Sequence, residues 1–498
     1  MNASSKIKLR ILTVFSIILL CIAVVVREFQ NDTFYIIKLG DFIFHNGVDL
    51  VDHYSWVTDL LYTYPHWLYD LFIYIVYSNF GFVGVYASSI VLFIILILSI
   101  YLINLDFNKN ELMASIISIG TIPLLIGFVT ARAQLVTIIL FLWEVYFIRK
   151  LIDTGSKKYV VFISGVSLLV ANLHATIWLF CFILFLPFIG QFIIRWFLNK
   201  LGNNNVLFFD KLEIESIKNF GLLVLAFISS FLMGFLSPSK ICFTYVFKVM
   251  QGSSQSFITE HAPMVLIENI SFLILIAVVI GVLIFSKTRI KLFELFMIGG
   301  LLFMSLSSFR HVAFFYVIGL LFVSVLFNRC LLNNKDKTLD ILGYLVTKNK
   351  IIYVLLFVIV LLVSGVKFYD NSLNEFIPED MYPVHAVNYI KDNLDVNELH
   401  LYNDYNFGAY LLFYDIPVFI DSRCDLYLKE FNGLDYSIFD DSMNMMYDYE
   451  EKFLFYDVSH VLIQNDSYFY RIISKDENYV ILYEDDNFTL FEVNKIET

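Results

Sequence analysis

The sequence is poor in charged residues and in proline. Charged side chains make up 16% of its 498 residues and hydrophobic ones 59%, and only eight residues are proline. Soluble globular proteins usually carry about a quarter charged residues. A soluble core cannot bury this much apolar surface, whereas a lipid bilayer can. The composition therefore predicts an integral membrane protein.

Cysteine is scarce, and no Cys-x-x-Cys pair occurs among the five cysteines. Four of them lie in or beside apolar runs, which is typical of small hydrophobic core residues and argues against a disulfide framework or a cysteine metal site. The formal net charge of −12 argues against nucleic acid as a partner. Tandem repeats and Gly/Ser linkers are also absent from the sequence.

Long apolar runs dominate what is there. A spanning helix needs about 20 mostly apolar residues. The sequence predicts a polytopic α-helical membrane protein with about eleven spans: 11–26, 82–104, 112–130, 135–149, 159–172, 175–194, 219–236, 269–286, 292–308, 312–328 and 351–367. The first span has a basic start but no small-x-small cleavage site, so we interpret it as an uncleaved anchor.

The distribution of Lys and Arg predicts the orientation. With the N-terminus in the cytoplasm, the inner segments hold 20 of the 34 bases, the outer loops hold six, and residues 367–498 hold the other eight. This is the bias expected of cytoplasmic loops. An odd number of spans then places the C-terminal region outside the cell membrane.

Two domains are predicted. Residues 1–368 form the transmembrane domain, in which 27–81 is a long first outer loop with amphipathic helices at about 33–46 and 65–78. Residues 369–498 are acidic and contain strand-like runs at Glu398–Leu401, Pro417–Ile420, His460–Ile463 and Tyr479–Tyr483, together with a helix at 383–394. This pattern indicates a small extracytoplasmic α/β domain.

In this orientation, ionisable residues from distant parts of the chain fall at the outer ends of spans or in outer loops. Such groups are costly near a bilayer and are candidates for function. We expect them to line one outward-facing cavity, although helix ends are often polar and Arg side chains reach toward the interface in any case. The set comprises Asp32, Arg132, His174, Glu260, His261, Arg310 and His311.

Short motifs in the same order resemble a group of bacterial multi-span proteins in, or beside, the glycosyltransferase-C (GT-C) superfamily. The resemblance begins in the first outer loop with Asn31-Asp32-Thr33-Phe34-Tyr35, Asp52-His53-Tyr54-Ser55-Trp56 and His66-Trp67-Leu68-Tyr69-Asp70. It continues through Ala131-Arg132-Ala133-Gln134, Asn172-Leu173-His174-Ala175, Ser237-Pro238, Glu260-His261-Ala262-Pro263 and Phe309-Arg310-His311. In the outer domain it includes Phe407-Gly408-Ala409-Tyr410-Leu411 and the run from Val418 to Tyr427.

The resemblance implies a transferase that takes a sugar from a polyprenyl-phosphate carrier. In that superfamily an acidic residue of the first outer loop is the base or a metal ligand, and Asp32 occupies the matching position. Inversion at the sugar needs a carboxylate to accept the proton of the acceptor. Guanidinium groups suit the departing phosphate. The implied substrate- and phosphate-binding set is Arg132, Gln134, His174, Glu260, Arg310 and His311.

Several of the candidate residues also have a purely structural interpretation. Asp32 lies near a helix start and could only be an N-cap. His66 with Trp67 favours anchoring at the interface, although His53 and His66 could instead bind a metal. Asp421 and Arg423 are predicted to point the same way from a strand, and a structural ion pair is the favoured interpretation. The cofactor is unknown, with a divalent metal as an alternative.

Three functions are ranked on this basis. A membrane glycosyltransferase that moves a sugar from a polyprenyl-phosphate donor to an extracytoplasmic acceptor leads. A non-catalytic GT-C-like protein that binds lipid or assembles an envelope complex is second. Three motifs depart from those of the family in its favour: Ala133 replaces the Pro of the Arg-Pro-Gln element, Ala175 replaces the Gly of the Asn-Leu-His-Gly element, and His261 replaces the Trp of the Glu-Trp-x-Pro element. A transporter ranks third, because few charges lie in the middle of the spans.

Overall fold

The computed structural model describes residues 3–57, 60–200, 212–215, 217–253, 257–285, 288–333 and 335–494. The chain forms two compact units. We call the first the helical unit; it comprises the described residues of Met1–Val26, Ala87–Ser237 and Thr259–Leu373. We call the second the sheet unit; it comprises those of Arg27–Tyr86, Pro238–Ile258 and Asn374–Thr498. The predicted domain boundary near residue 368 stays a prediction, and the compact units place 27–86 with the C-terminal residues.

Among the described residues, six helices are long and apolar enough to cross a membrane: Ala3–Val24, Trp67–Asn108, Glu111–Phe128, Ala175–Lys200, Phe309–Asn333 and Lys350–Ser372. Four shorter apolar helices are Lys158–Leu173, Phe220–Leu236, Ile270–Ile284 and Leu292–Ser307. Ala133–Thr154 is a further helix. The eleven predicted segments all overlap helices of this set, but the count of about eleven spans stays a prediction.

Small polar side chains connect the helices of the helical unit. Ser167 accepts a hydrogen bond from the Trp178 indole at 2.8 Å and donates one to the carbonyl of Ser230, also at 2.8 Å. The hydroxyl groups of Thr13 and Ser115 lie 2.7 Å apart and connect Ala3–Val24 with Glu111–Leu125. In lipid, small residues let helices approach closely and their hydroxyl groups find partners across the interface. These contacts fix the positions of helices whose outward faces are apolar.

Two short strands of the helical unit pair in parallel, β1 (Leu212–Glu213) and β2 (Ile290–Lys291). Single helical turns connect several of the longer helices. They are Ile126–Phe128, Ala175–Ile177, Gly234–Leu236, Thr259–His261 and Phe309–His311. Two of these turns, Thr259–His261 and Phe309–His311, hold candidate site residues.

The sheet unit is built around a four-stranded sheet in the order β3–β4–β6–β5. The strands are β3 (Leu401–Asn403), β4 (His460–Gln464), β5 (Tyr479–Glu484) and β6 (Phe488–Val493). β3 is parallel to β4, and the other neighbouring pairs are antiparallel. The helices of this unit are Asn31–Asn46, the first part of Trp67–Asn108, Tyr245–Val249, Val384–Asn393, Gly408–Phe413, Lys429–Asn432, Ile438–Tyr456 and Tyr468–Ile473.

The strand predicted at Pro417–Ile420 is wrong. Within the described residues this run makes a single bridge, between Val418 and Ser55, instead of joining the sheet. The side chain of Asn403 takes the place of a neighbouring strand, because its amide accepts from the Phe419 N–H at 3.0 Å and donates to the Ile420 carbonyl at 2.7 Å. β6, which the sequence pattern missed, is buried along its first four residues and so shows no alternation.

The helix Asn31–Asn46 packs into the C-terminal part of the sheet unit. Phe34 is fully buried, and its ring meets those of Tyr382 and Tyr410 edge-on at 5.0 and 5.1 Å. The helix ends in a turn at Gly47, which adopts a φ of +83° and whose N–H bonds to the carbonyl of Ile43. The first outer loop is therefore part of the folded core of the sheet unit.

Candidate functional site

In the helical unit, two helical turns distant in sequence meet. The N–H of Phe309 donates to the carbonyl of Ala262 at 3.1 Å, and Ser308 Oγ donates to the carbonyl of Glu260, also at 3.1 Å. The rings of Phe128 and Phe309 stack with centroids 5.7 Å apart, which adds the segment just before Arg132. These contacts fix the backbone of three segments that carry candidate residues.

The side chains on these segments form a charged cluster. Arg132 Nη1 lies 3.2 Å from Glu260 Oε1, and Arg310 Nη1 lies 3.1 Å from His261 Nε2. Burial raises the pKa of Glu260, but the two guanidinium groups outweigh burial and hold the pKa below its usual range. The pKa of His261 falls to about 4, because burial disfavours the imidazolium form and Arg310 repels it.

The charge of this cluster is positive at neutral pH. Two guanidinium groups, one carboxylate and a neutral imidazole leave one net positive charge. The Arg132 side chain is 23% exposed and that of Glu260 is 44% exposed, so a ligand can reach them. A half-buried pair of guanidinium groups with excess positive charge suits an anion such as a phosphate.

The other predicted residues of the helical unit are His174, Gln134 and His311, and no ion pair connects them to the cluster among the described residues. His174 is 5% exposed, and its Nδ1 lies 2.9 Å from the hydroxyl of Thr137. Gln134 is half-buried in the first turn of Ala133–Thr154, with no polar partner recorded within the described part of the chain. His311 closes the turn Phe309–His311, beside Arg310. Sequence reasoning did not identify Thr137 or the pairing of His261 with Arg310.

Asp32 belongs to the sheet unit. It lies half-buried in the first turn of Asn31–Asn46, and the N-cap of that helix is Gln30. The alternative that Asp32 is an N-cap is therefore wrong. Its carboxylate is close enough to His66 to favour the charged form of that imidazole.

His66 is surrounded by acidic groups. Its Nδ1 lies 3.2 Å from Asp70 Oδ1, and the side chain of Asp70 is fully buried. Burial lowers the pKa of His66, but Asp70, Asp425 and Asp32 together raise it above its usual range. Burial raises the pKa of the Asp425 carboxyl to about 6. Trp67 begins the long helix that follows.

The described residues offer no side-chain arrangement that is ready to bind a metal ion. No group of three or more His, Cys, Asp or Glu side chains that could hold a metal ion occurs among the residues that the structure describes. The acidic groups around His66 interact through their charge without converging as ligands.

Arg423 lies in a buried ion cluster. Its Nε and Nη2 donate to Asp421 at 2.9 and 2.6 Å, and its Nη1 pairs with Asp52. The Tyr427 hydroxyl donates to Asp421 at 2.6 Å. The predicted strand placement of Asp421 and Arg423 is wrong, because neither belongs to a strand. The ion pair is nevertheless present, and Asp52 is a partner that sequence reasoning missed although it stands in a motif of the first outer loop.

Comparisons of this chain with known proteins show a similarity of fold only. No family model and no curated protein matches the sequence. The crystal structure of the oligosaccharyltransferase of Archaeoglobus fulgidus in its apo form matches with a TM-score of 0.61 at 12% identity, over 92% of this chain and 69% of that chain.

Two further crystal structures of the same enzyme match. The form tethered to an acceptor peptide with the NVT sequon gives a TM-score of 0.55 at 10% identity, over 91% of this chain and 68% of that chain. The complex with Zn and sulfate gives 0.55 at 10%, over 98% and 73%. These neighbours are similar to this chain in fold, while the GT-C superfamily and a bacterial family stay predictions.

Proposed function

We propose that this chain is a membrane glycosyltransferase that moves a sugar from a polyprenyl-phosphate donor to an extracytoplasmic acceptor. The observation that carries the proposal is the cluster of Arg132, Glu260, His261 and Arg310, which holds excess positive charge in a fold like that of an oligosaccharyltransferase. In the archaeal enzyme the acceptor is a peptide with an NVT sequon.

The phosphate of the donor would bind at the helical unit. Arg310 donates to a neutral His261, so this contact does not neutralise the positive charge of its guanidinium group. That charge can attract a ligand. Arg132 is partly neutralised by Glu260, which would hold its guanidinium in position between turnovers. A departing phosphate gains negative charge, and fixed cations stabilise such charge most when they are already oriented.

Asp32 would accept the proton of the acceptor. It is half-buried on a helix whose neighbouring residues are packed, so its position is defined. A general base of this kind contributes about 10²- to 10⁴-fold to the rate.

The experiment separates binding from transfer. Purified full-length chain is titrated with polyprenyl phosphate, and transfer is assayed in membranes that supply polyprenyl-phosphate sugars. We expect Arg310→Gln to weaken binding by about tenfold or more, since it removes a charge-assisted hydrogen bond. Arg289→Gln is the matched control, because Arg289 is exposed and lies outside the cluster.

Asp32→Asn should leave binding of polyprenyl phosphate unchanged and reduce transfer by at least about 100-fold. Asp41→Asn is its control, since Asp41 lies on the same helix and is paired with the exposed His45. Full transfer by the Asp32 variant would remove this residue from the mechanism.

A non-catalytic role is the second candidate. It is favoured by the fact that Arg132 and Arg310 both already have partners within the chain. Binding of polyprenyl phosphate that depends on Arg310, together with no transfer by the unmodified chain, would support this role instead.

A further inference from the structure

A polar cavity lies in the helical unit, and none of the residues of the charged cluster lines it. Its volume is about 410 Å³, and it lies where the ends of several helices meet. Ile152, Phe188 and Phe293 give it apolar walls. Its polar lining consists of Arg149, Asp153, Gln191, Glu215 and Lys218. By the predicted orientation, all of these polar residues except Gln191 lie in cytoplasmic segments.

The cavity wall is rigidly built. The rings of Phe188 and Phe293 stack with centroids 5.0 Å apart, and both are almost completely buried. Gln191 is 1% exposed, accepts from the Phe293 N–H at 3.0 Å and donates to the Glu215 carbonyl at 3.3 Å. One buried amide therefore fixes two sides of the cavity.

Arg149 is held so that part of its guanidinium is available. Its charged end lies 4.8 Å from the centre of the Phe293 ring, and its Nε donates to Asp153 Oδ2 at 3.1 Å. Its two terminal amino groups have no recorded partner among the described residues. Lys218 is exposed at the same cavity and has no ion pair recorded there either. Two cationic groups thus offer donors to a phosphate.

Each of the two carboxylates of the cavity forms an ion pair through one of its oxygens. Asp153 pairs through Oδ2 with Arg149, and Glu215 pairs through Oε1 with Lys291 at 2.5 Å. The second oxygen of each carboxylate has no recorded partner in the part of the chain that the structure describes. A ligand with both a phosphate and an ammonium group would satisfy the cations and the free carboxylate oxygens together.

The surroundings point to a lipid as the source of such a ligand. Gln191 is five residues from Trp196 on the helix Leu186–Lys200, which is about 7 to 8 Å along the axis. Trp196 is 56% exposed and Lys200 lies over its ring at 5.4 Å, an arrangement typical of a membrane interface. Ile193 and Phe197 are also exposed on this helix, and with Trp196 they form an apolar face opposite the side on which Phe188 and Gln191 line the cavity.

We propose that this cavity binds the phosphoethanolamine headgroup of a membrane phospholipid. The phosphate lies against Arg149 and Lys218, and the primary ammonium group lies against Asp153 and Glu215. The predicted orientation assigns the lipid to the cytoplasmic leaflet. The site is separate from the proposed transfer chemistry and does not depend on it.

Native mass spectrometry of the purified, delipidated full-length chain tests this assignment. The chain is titrated with phosphatidylethanolamine, phosphatidylcholine and phosphatidylglycerol of the same acyl composition, and with inorganic phosphate. We expect phosphatidylethanolamine to bind about tenfold tighter than phosphatidylcholine, because a trimethylated ammonium cannot donate hydrogen bonds to the carboxylates. Asp153→Asn should reduce this preference, whereas Asp340→Asn, an exposed control, should not.

Two further variants locate the site. Arg149→Gln should weaken binding of phosphatidylethanolamine and phosphatidylglycerol about tenfold, and Lys218→Gln, at an exposed position that tolerates change, should weaken both in the same direction. The control Lys158→Gln lies outside the cavity and should have no effect. Equal binding of all three lipids, tighter binding of phosphatidylglycerol, capture of inorganic phosphate alone, or loss with the control variant would each overturn the proposal.

Discussion

Arg423 is the most completely enclosed cation of the sheet unit, with its side chain at 0% exposure. Asp421 and Asp52 together accept from all three of its nitrogen positions, and the rings of Tyr54 and Tyr62 lie 5.7 and 5.1 Å from its charged end. A buried charge is tolerated only when its partners are this complete. Because Asp52 comes from the first outer loop, the cluster connects that loop to the C-terminal part of the same unit.

Arg423→Met should therefore destabilise the sheet unit strongly. The substitution keeps much of the side-chain volume but leaves two buried carboxylates without their cation, which typically costs about 3 to 5 kcal/mol. Thermal unfolding of the full chain in detergent, with hydrogen exchange of peptides from the sheet unit, measures the loss. Arg471→Met is the control, since Arg471 is exposed and lies over the Tyr468 ring. A variant as stable as this control would contradict the assignment.

The buried carboxyl group of Asp425 makes the stability of the sheet unit depend on pH. Burial raises the pKa of this carboxyl to about 6, so the folded state holds the proton more tightly than the unfolded state does. Stability from this group is therefore complete below about pH 4 and is lost as the pH rises to about 6. Asp425→Asn should make the unit more stable at pH 7, by on the order of 3 kcal/mol.

The advantage of the Asp425 variant should disappear at about pH 4, where the native carboxyl is protonated. Unfolding midpoints measured between pH 4 and pH 7 test this. Asp392→Asn, an exposed change on the helix Val384–Asn393, should show no such pH-dependent difference. A constant difference between the Asp425 variant and the native chain across this range would refute the assignment of the pH dependence to this group.

At the scale of elements, long apolar helices were predictable, and two of the predicted strand runs, His460–Ile463 and Tyr479–Tyr483, are present as β4 and β5, whereas Pro417–Ile420 is not a strand. The helix predicted at 383–394 is present as Val384–Asn393. Pro417–Ile420 is as apolar as a strand, and Val418, Phe419 and Ile420 are fully buried. A run of four apolar residues does not reveal whether a strand or a side chain will satisfy its backbone. Here Asn403 does so, from a position that sequence spacing does not connect to it.

The contacts of Asn403 with this run also explain why residue 408 is a glycine. A Cβ at Gly408 would lie 2.0 Å from the carbonyl oxygen of Ile420 and 2.8 Å from the Asn403 amide. The backbone of the helix Gly408–Phe413 thus approaches this run too closely for any side chain. The motif around Gly408 was visible in the sequence, but the contact that requires the glycine became visible only in the fold.

The long helix Trp67–Asn108 is interrupted at Gly81, where φ is +61° and ψ is −158°. Nothing lies within 4 Å of a Cβ added there, so an alanine would meet backbone strain without a clash. We expect Gly81→Ala to cost about 1 to 3 kcal/mol. Gly120→Ala is the matched control, because Gly120 also has open space but lies in ordinary helical backbone, where alanine should be neutral or stabilising.

Thermal unfolding of both variants in the same detergent compares them. A lower midpoint for the Gly81 variant and an unchanged or higher one for the Gly120 variant would support a bend that the chain conformation enforces. Equal midpoints would mean that the helix can straighten at residue 81 at no cost.

At the scale of the molecule, the sequence predicted which polar residues are candidates for the site but not which side chains they contact. Arg132, Glu260 and Arg310 were predicted together, and the structure brings them into one cluster. Their pairing with each other depends on tertiary contacts such as that of Ser308 with Glu260, which no local pattern encodes. Their role toward a substrate stays a prediction, as do the number of spans and the orientation.

The orientation has a direct test. If the N-terminus is cytoplasmic and the number of spans is odd, residues on the two sides of the membrane should differ in their access to a membrane-impermeant maleimide. Asp336→Cys lies at an exposed position in a base-rich segment, and Tyr447→Cys lies at an exposed position of the sheet unit, 76% exposed in the native chain. The native cysteines, of which Cys330 and Cys424 are partly exposed, require the unmodified chain as a control.

We expect the cysteine at 447 to be labelled in intact cells, and the cysteine at 336 only after the membrane is permeabilised. The expectation follows from the excess of Lys and Arg in the segments predicted to be cytoplasmic. Labelling of both positions in intact cells would mean an even number of spans between them. Labelling of position 336 alone would invert the whole chain, and the charged cluster at Arg132 and Arg310 would then face the cytoplasm, where the proposed extracytoplasmic transfer could not occur.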